Sequence, residues 1–364
     1  MPRKVSADRT LFGVTVVLAA IGVVMVGSAS SYYSLSQSGG IFSSFMVRQI
    51  VYATAGLLLM YRLMRTDYHF FARPQVVFGL VGGTTLLLML VFLFSAHKGT
   101  HRWIPMGFFS VQPSELAKFA LAVFLAHMAD KKGEQINSPS VGTVPCFAVA
   151  GLLAGLVLFE PDMGTAVVLL LVTTLVLFSA GLRWKYVLGT AGAGAALLPV
   201  MILLEPYRLK RIFAFLHPEE NLQGANFQLF QSKIALGSGG VFGSGLALGQ
   251  QKWLFLPESH TDFIFSVVGE ELGMIGTSIL LILFLVFFWR GARASLRAPD
   301  RFGTYLALGI TLFLVCQAFL NMGVASGMLP TKGLPLPFVS YGGSALIVSL
   351  GMTGVLLNVS QQGS

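Results

Sequence analysis

Ten apolar runs of about membrane-spanning length recur along this chain, and they constrain its fold more than any single residue does. They cover 11–27, 45–63, 76–95, 115–129, 144–159, 165–181, 186–204, 264–289, 304–325 and 342–358. A hydrocarbon core about 30 Å thick takes roughly 20 apolar residues of helix to cross. Three runs fall short of that and must tilt, thin the bilayer or extend past these limits. A segment in lipid has to satisfy its own backbone polar groups, so each run is read as a helix. Composition agrees: 55% of the 364 residues are hydrophobic and only 11% are charged, about half the charged share of soluble domains. The expected fold is all-α, a single polytopic membrane domain over 1–364 with about ten transmembrane helices. One long extracytoplasmic loop, 205–263, interrupts it. The first run follows Arg3, Lys4 and Arg9. It is longer than a signal-peptide core and is read as an uncleaved first span.

Basic residues set the orientation. With the N-terminus inside, the segments 1–10, 62–74, 130–143, 182–185 and 290–303 hold 14 of the Lys and Arg residues, and the outward segments hold 10. Five of those ten (Arg208, Lys210, Arg211, Lys233 and Lys252) lie in the long loop, where the positive-inside bias hardly counts. Both termini are expected in the cytoplasm. The net charge of +9 is read as that bias, and nucleic acid is not an expected partner. Cys146 and Cys316 sit in apolar runs without the spacing of a metal or redox pair.

The informative polar residues gather on the outer side. The long loop carries Phe227, Phe230 and Ile234 at helical spacing, which predicts a short helix at the outer leaflet. It ends Ser259-His260-Thr261-Asp262-Phe263, and an apolar run follows at once. Asp262 has two readings. One is a helix N-terminal carboxylate favoured by the dipole. The other is a general base whose proton affinity is tuned by the apolar bundle beside it. His260 ranks behind it.

Gln112-Pro113-Ser114-Glu115-Leu116-Ala117-Lys118 opens another span from outside, with Ser114 as the expected N-cap. Glu115 and Lys118 share a helical face. Lys118 falls inside the apolar region, where a charge needs a partner or a cavity. Arg102 and Trp103 add an outward cation and a ring. Glu160-Pro161-Asp162 forms a tight outward turn that either faces solvent, completes a polar cleft or helps bind a divalent cation. The glycine-rich stretch 237–249 has no Gly-Lys-Ser/Thr and is read as closely packed or flexible backbone, not a phosphate loop. Pro330 to Ser344 reads as a re-entrant or capping loop in which Lys332 is the one charge.

Taken together these stretches resemble the SEDS family of bacterial cell-wall membrane proteins, to which FtsW and RodA belong. The resemblance rests on Arg102-Trp103-Ile104, the stretch from Gln112 to Lys118, Pro161-Asp162-Met163-Gly164-Thr165, Leu256-Pro257-Glu258 with Thr261-Asp262-Phe263, Glu270-Glu271-Leu272-Gly273, and Pro337 to Ser344. They run in the family's order over almost the whole chain. The FtsW-like branch fits somewhat better, through Ala7-Asp8-Arg9, Tyr207 to Arg211 and Leu329 to Gly333.

The resemblance implies a multi-pass protein of the bacterial cytoplasmic membrane that polymerises lipid II on its outer face. It also implies a class B penicillin-binding protein as partner, along with other division or elongation proteins. The family's essential aspartate falls on Asp262, and its Glu and Lys fall on Glu115 and Lys118. Asp262 is then the expected general base. Arg102, Lys118, Arg208, Lys210, Arg211 and Lys332 are the expected cations for a leaving pyrophosphate. Trp103, Gln112, Glu115, Glu160, Asp162, His260 and Ser340 are expected to line the substrate cleft. A donor that already carries a lipid pyrophosphate needs no nucleotide, and a divalent cation stays open as the one candidate cofactor. Two other readings stand beside this one: a lipid II flippase, which would need polar groups through the membrane midplane, and a non-catalytic scaffold.

Overall fold

The structure is a computed structural model that describes residues 7–30, 44–94, 101–107, 109–203, 209, 211, 213, 215, 227–251, 259–330 and 333–363. Arg208, Lys210 and Lys332 lie outside the described residues. The described residues form α1 (Arg9–Ala29), α2 (Ser44–Arg65), α3 (Pro74–Leu90), α4 (Pro113–Lys132), α5 (Val144–Phe159), α6 (Met163–Ser179), α7 (Trp184–Leu203), α8 (Phe227–Ser238), α9 (Ile264–Leu296), α10 (Arg301–Ala325) and α11 (Gly343–Gln362). Ten of these helices fall on the ten apolar runs. The remaining one, α8, is the short helix marked by Phe227, Phe230 and Ile234. A two-stranded hairpin, β1 (Ile104–Pro105) with β2 (Ser110–Val111), precedes α4.

Local chemistry explains where the helices start. Asp8 accepts the Leu11 N–H at 3.0 Å, and Asp300 accepts the Gly303 N–H at 2.7 Å; both are N-caps. Pro74 and Pro113 open α3 and α4, where a missing N–H costs nothing. Ser114 is the cap expected of α4, but the helix begins at Pro113, two residues earlier than that cap implies. Gln112 holds the cap position and donates from Nε2 to Ser114 Oγ at 3.0 Å.

The bundle has a centre and a rim. α4, α10 and α11 are buried on nearly every face, the mark of helices surrounded by other helices. α10 packs on α4, α6, α9 and α11, while α2 lies along α11 and α1 along α9. Rim helices turn apolar side chains outward, among them Leu58, Phe78, Leu188 and Ile282. A bilayer solvates those faces.

One expected span is not continuous. The run at 264–289 reads as a single helix, but Gly273 breaks α9 with φ 66° and ψ −161°, a backbone region essentially confined to glycine. The glycine-rich stretch wraps this break. Met274 N–H donates to Gly240 O at 2.9 Å, and Ser244 N–H to Glu270 O at 2.9 Å. A Cβ on Gly273 would lie 2.4 Å from Gly243 N. Gly273→Ala is therefore expected to destabilise the protein by about 1–3 kcal/mol through backbone strain, with the clash adding to that, read as a lower unfolding temperature in detergent.

The break lies level with the C-terminal end of α1. α1 and the second part of α9 run antiparallel. Arg290 holds Asp8 at one end, with Nε to Oδ2 at 2.7 Å. At the other end Ser28 donates to Glu271 at 2.6 Å. From Met274 to Leu296 the helix has 23 residues, enough to span without its first part. Ile264 to Leu272 thus forms a separate piece beyond that span, joined by α8.

The segment before α11 re-enters the bundle, as one of the two sequence readings had it. Phe338 is fully buried, 5.7 Å from the Phe287 ring. Its carbonyl would come 2.5 Å from a Cβ on Gly22. Gly22 lies seven residues before the C-terminal end of α1, so the loop descends roughly 10 Å at the helical rise.

Candidate functional site

The site is assembled where the loop before α9, the turn between α5 and α6, and the re-entrant loop meet the C-terminal part of α10. Two amides on α10 organise it. Asn321 Nδ2 donates to Asp262 O at 2.8 Å and to Leu334 O at 2.6 Å. One turn deeper, Gln317 Nε2 donates to Pro335 O at 2.7 Å. α10 thus fixes both the segment carrying Asp262 and the loop that roofs it. Ser340 joins the same two segments: its Oγ donates to Thr261 O at 2.5 Å and accepts the Leu336 N–H at 2.7 Å. Tyr341 N–H donates to His260 O at 2.9 Å. The His260 ring rests between Phe45 and Tyr341. Ser340 and His260 are placed to support this loop pair.

Cations gather around Asp262. A Cβ on Gly333 would stand 3.1 Å from Asp262 Oδ2 and 3.7 Å from Arg102 Nη1, so one glycine roofs both charges. Arg102 is held by the α5–α6 turn. Its Nε donates to Glu160 O at 2.9 Å and its Nη2 to Pro161 O. Arg211 belongs to the same electrostatic neighbourhood. Burial lowers its proton affinity, the Asp262 charge raises it and Arg102 lowers it further. Trp103 is half-buried beside Arg102 at the start of the hairpin.

Glu115 and Lys118 form a buried pair at 2.6 Å, with side chains 2% and 4% exposed. Lys118 Nζ also donates to Gln317 Oε1 at 2.5 Å. The amides of α10 therefore connect this pair to the Asp262 wall, since residues four apart on a helix are neighbours. An ammonium has three donors, and two are spent here.

The two carboxylates of the α5–α6 turn have different roles. Asp162 caps α6, accepting the Thr165 N–H at 3.1 Å and its hydroxyl at 2.9 Å. Glu160 is completely buried, and among the described residues neither carboxylate oxygen has a hydrogen-bond partner. Burial, helped by Asp162 and opposed by Arg102, pushes its pKa up to about 9. Glu160 is therefore a neutral acid at pH 7. A raised carboxyl pKa favours the folded state fully below the unfolded value, and that advantage is lost as pH climbs towards 9. Glu160→Gln is expected to flatten the fall of the unfolding temperature between pH 5 and pH 9. Parallel melting curves for the two proteins over that range would count against it.

Among the described residues no three His, Cys, Asp or Glu side chains group to hold a metal ion. Sequence reasoning missed Gln317, Asn321 and Gly333. The amides had a signal: polar residues four apart inside an apolar span. Gly333 had none. Glu270 and Glu271 serve the fold, not the cleft: Glu270 accepts the Gln250 N–H at 2.6 Å and Glu271 the Ala247 N–H at 3.1 Å.

Known proteins align along nearly the full length. A family model described as cell cycle protein, spanning FtsW, RodA and SpoVE, matches residues 8–364. A relative from Geobacter metallireducens, named a probable peptidoglycan glycosyltransferase FtsW, is 45% identical over 97% of this chain and 94% of its own. Stage V sporulation protein E of Bacillus subtilis is 38% identical over 99% of this chain and 98% of its own. Two solved structures superpose. One, described as structural coordination of polymerization and crosslinking by a peptidoglycan synthase complex, has a TM-score of 0.77 at 29% identity and covers 97% of each chain. The other, the rod shape determining protein RodA of Thermus thermophilus, has a TM-score of 0.68 at 29% identity and covers 97% of this chain and 96% of its own.

Proposed function

The chain belongs to the FtsW, RodA and SpoVE family of membrane proteins, nearer its FtsW branch, and from that premise we propose that it is a peptidoglycan glycosyltransferase acting in cell division. It polymerises lipid II on the outer face of the bacterial cytoplasmic membrane, with both termini in the cytoplasm. The observation that carries this reading is Asp262 under the Gly333 roof with Arg102 beside it.

The acceptor sugar hydroxyl attacks the donor's anomeric carbon and forms the new glycosidic bond. Its proton passes to the Asp262 carboxylate. The bond from the anomeric carbon to the lipid pyrophosphate breaks, and the pyrophosphate leaves with the electron pair. A single base and such a leaving group suit inversion in one step. Arg102 and Arg211 neutralise the pyrophosphate as charge builds, acting in a site shielded from water. Lys118 offers its third N–H from deeper in the wall. Arg208, Lys210 and Lys332 are further cations for the same anion. The lipid tails lie between the spans. A class B penicillin-binding protein is the proposed partner that crosslinks the product, in keeping with the synthase complex that this fold matches.

Purified protein with its partner and lipid II should yield glycan strands. Movement of lipid II across vesicles without polymer would replace this reading with the flippase.

A further inference from the structure

A second polar hollow lies at the opposite end of the bundle from the Asp262 cleft. It has a volume of about 310 Å³ and is enclosed by the start of α1, the last turns of α9 and the end of α11. Four arginines line it, Arg9, Arg290, Arg293 and Arg297, against one carboxylate, Asp8. Asp8 is already engaged. One oxygen caps α1 and the other takes Arg290 Nε at 2.7 Å and Nη2 at 2.5 Å. Arg9, Arg293 and Arg297 make no ion pair among the described residues. The positive N-terminal end of α1 points into the same space.

The positive-inside bias does not account for this arrangement. That bias asks only for basic residues on one side, and splayed arginines would meet it without mutual repulsion. Here α9 aims Arg290, Arg293 and Arg297 along one face, and α1 brings Arg9 to meet them. Planar guanidinium groups match phosphate oxygens in pairs. The hollow also sits at headgroup depth, because the apolar part of α1 begins at Leu11. Within two residues of its lining in sequence, Phe12 and Trp289 are exposed, as acyl chains and an interface favour.

We propose that this hollow binds the phosphodiester headgroup of an anionic phospholipid from the leaflet at the termini. The site is separate from the glycosyltransferase cleft, and only its assignment to the cytoplasmic leaflet rests on the orientation above.

The test uses the purified full-length protein in detergent, titrated with phosphatidylglycerol, phosphatidylcholine or inorganic phosphate, with bound lipid read by native mass spectrometry and unfolding temperature. Phosphatidylglycerol should bind and stabilise, and phosphatidylcholine should not. Arg293→Gln with Arg297→Gln should weaken that binding roughly 30-fold, at about 1 kcal/mol for each arginine near an anionic lipid. Arg183→Gln with Lys185→Gln removes the same charge from another segment and should change binding little. Equal losses in both double variants would reduce the effect to net charge and overturn the site. So would equal binding of phosphatidylcholine. Full saturation by inorganic phosphate would overturn the lipid assignment, as would preference for an acidic peptide over every lipid. Both variants should keep their circular dichroism, since Arg297 caps α9 through its backbone N–H, which glutamine retains.

Discussion

Asp262→Ala lowers glycan polymerisation by roughly 10²- to 10⁴-fold, the range a positioned general base contributes, in a protein that folds as before. The fold should survive because the segment is tied through the backbone: Asn321 donates to the Asp262 carbonyl, not to its carboxylate. Asp262→Asn should be equally inactive, since it keeps the shape and loses the base. The neighbouring acid gives the contrast. Asp162→Ala removes the cap of α6 and should cost about 1 kcal/mol of stability. Polymer length and yield from lipid II, measured beside the unfolding temperature of each variant, separate the two acids. Near-normal polymerisation by Asp262→Ala would end the assignment of this residue as the base.

The second large effect concerns the buried pair. Lys118→Met leaves the Glu115 carboxylate without its cation in a site 2% exposed, and breaking a buried pair in this way costs about 3–5 kcal/mol. Glu115→Gln combined with Lys118→Met removes both charges and should restore most of that stability. Polymerisation should nevertheless stay low in the double variant. The third Lys118 N–H and its charge are gone from the wall, and Gln317 has lost the partner that helps hold it against Pro335. Chemical unfolding in mild detergent and the glycan assay read the two quantities independently. Activity returning with stability would make Lys118 a strut alone.

The helix at the loop, Phe227–Ser238, was legible because three apolar residues recur at helical spacing. The break in α9 was not. Hydropathy registers that Gly273 is tolerated in an apolar run, but not that its φ is positive, which depends on the 239–245 backbone folding over it. In the same way, Glu160 and Asp162 look alike in sequence. One is a cap because Thr165 follows it at the right distance. The other is a neutral acid because the packed turn buries it without a hydrogen-bond partner among the described residues. Gln317 and Asn321 were visible as polar residues in a span, but their acceptors come from two loops, one following the helix and one 59 residues before Asn321.

By itself, the amino-acid sequence determined that this protein is a bundle of about ten membrane helices, with its distinctive polar residues on one side and its family marked by short motifs. A bilayer acts on each apolar segment separately, so length and hydropathy suffice for that much. Only the tertiary structure decided what each polar residue faces. It brought Arg102, Arg211 and Gly333 to Asp262, joined Lys118 to the same wall through Gln317, and split one span at Gly273. Those outcomes depend on burial and on partners contributed by remote segments, and neither is encoded in local spacing.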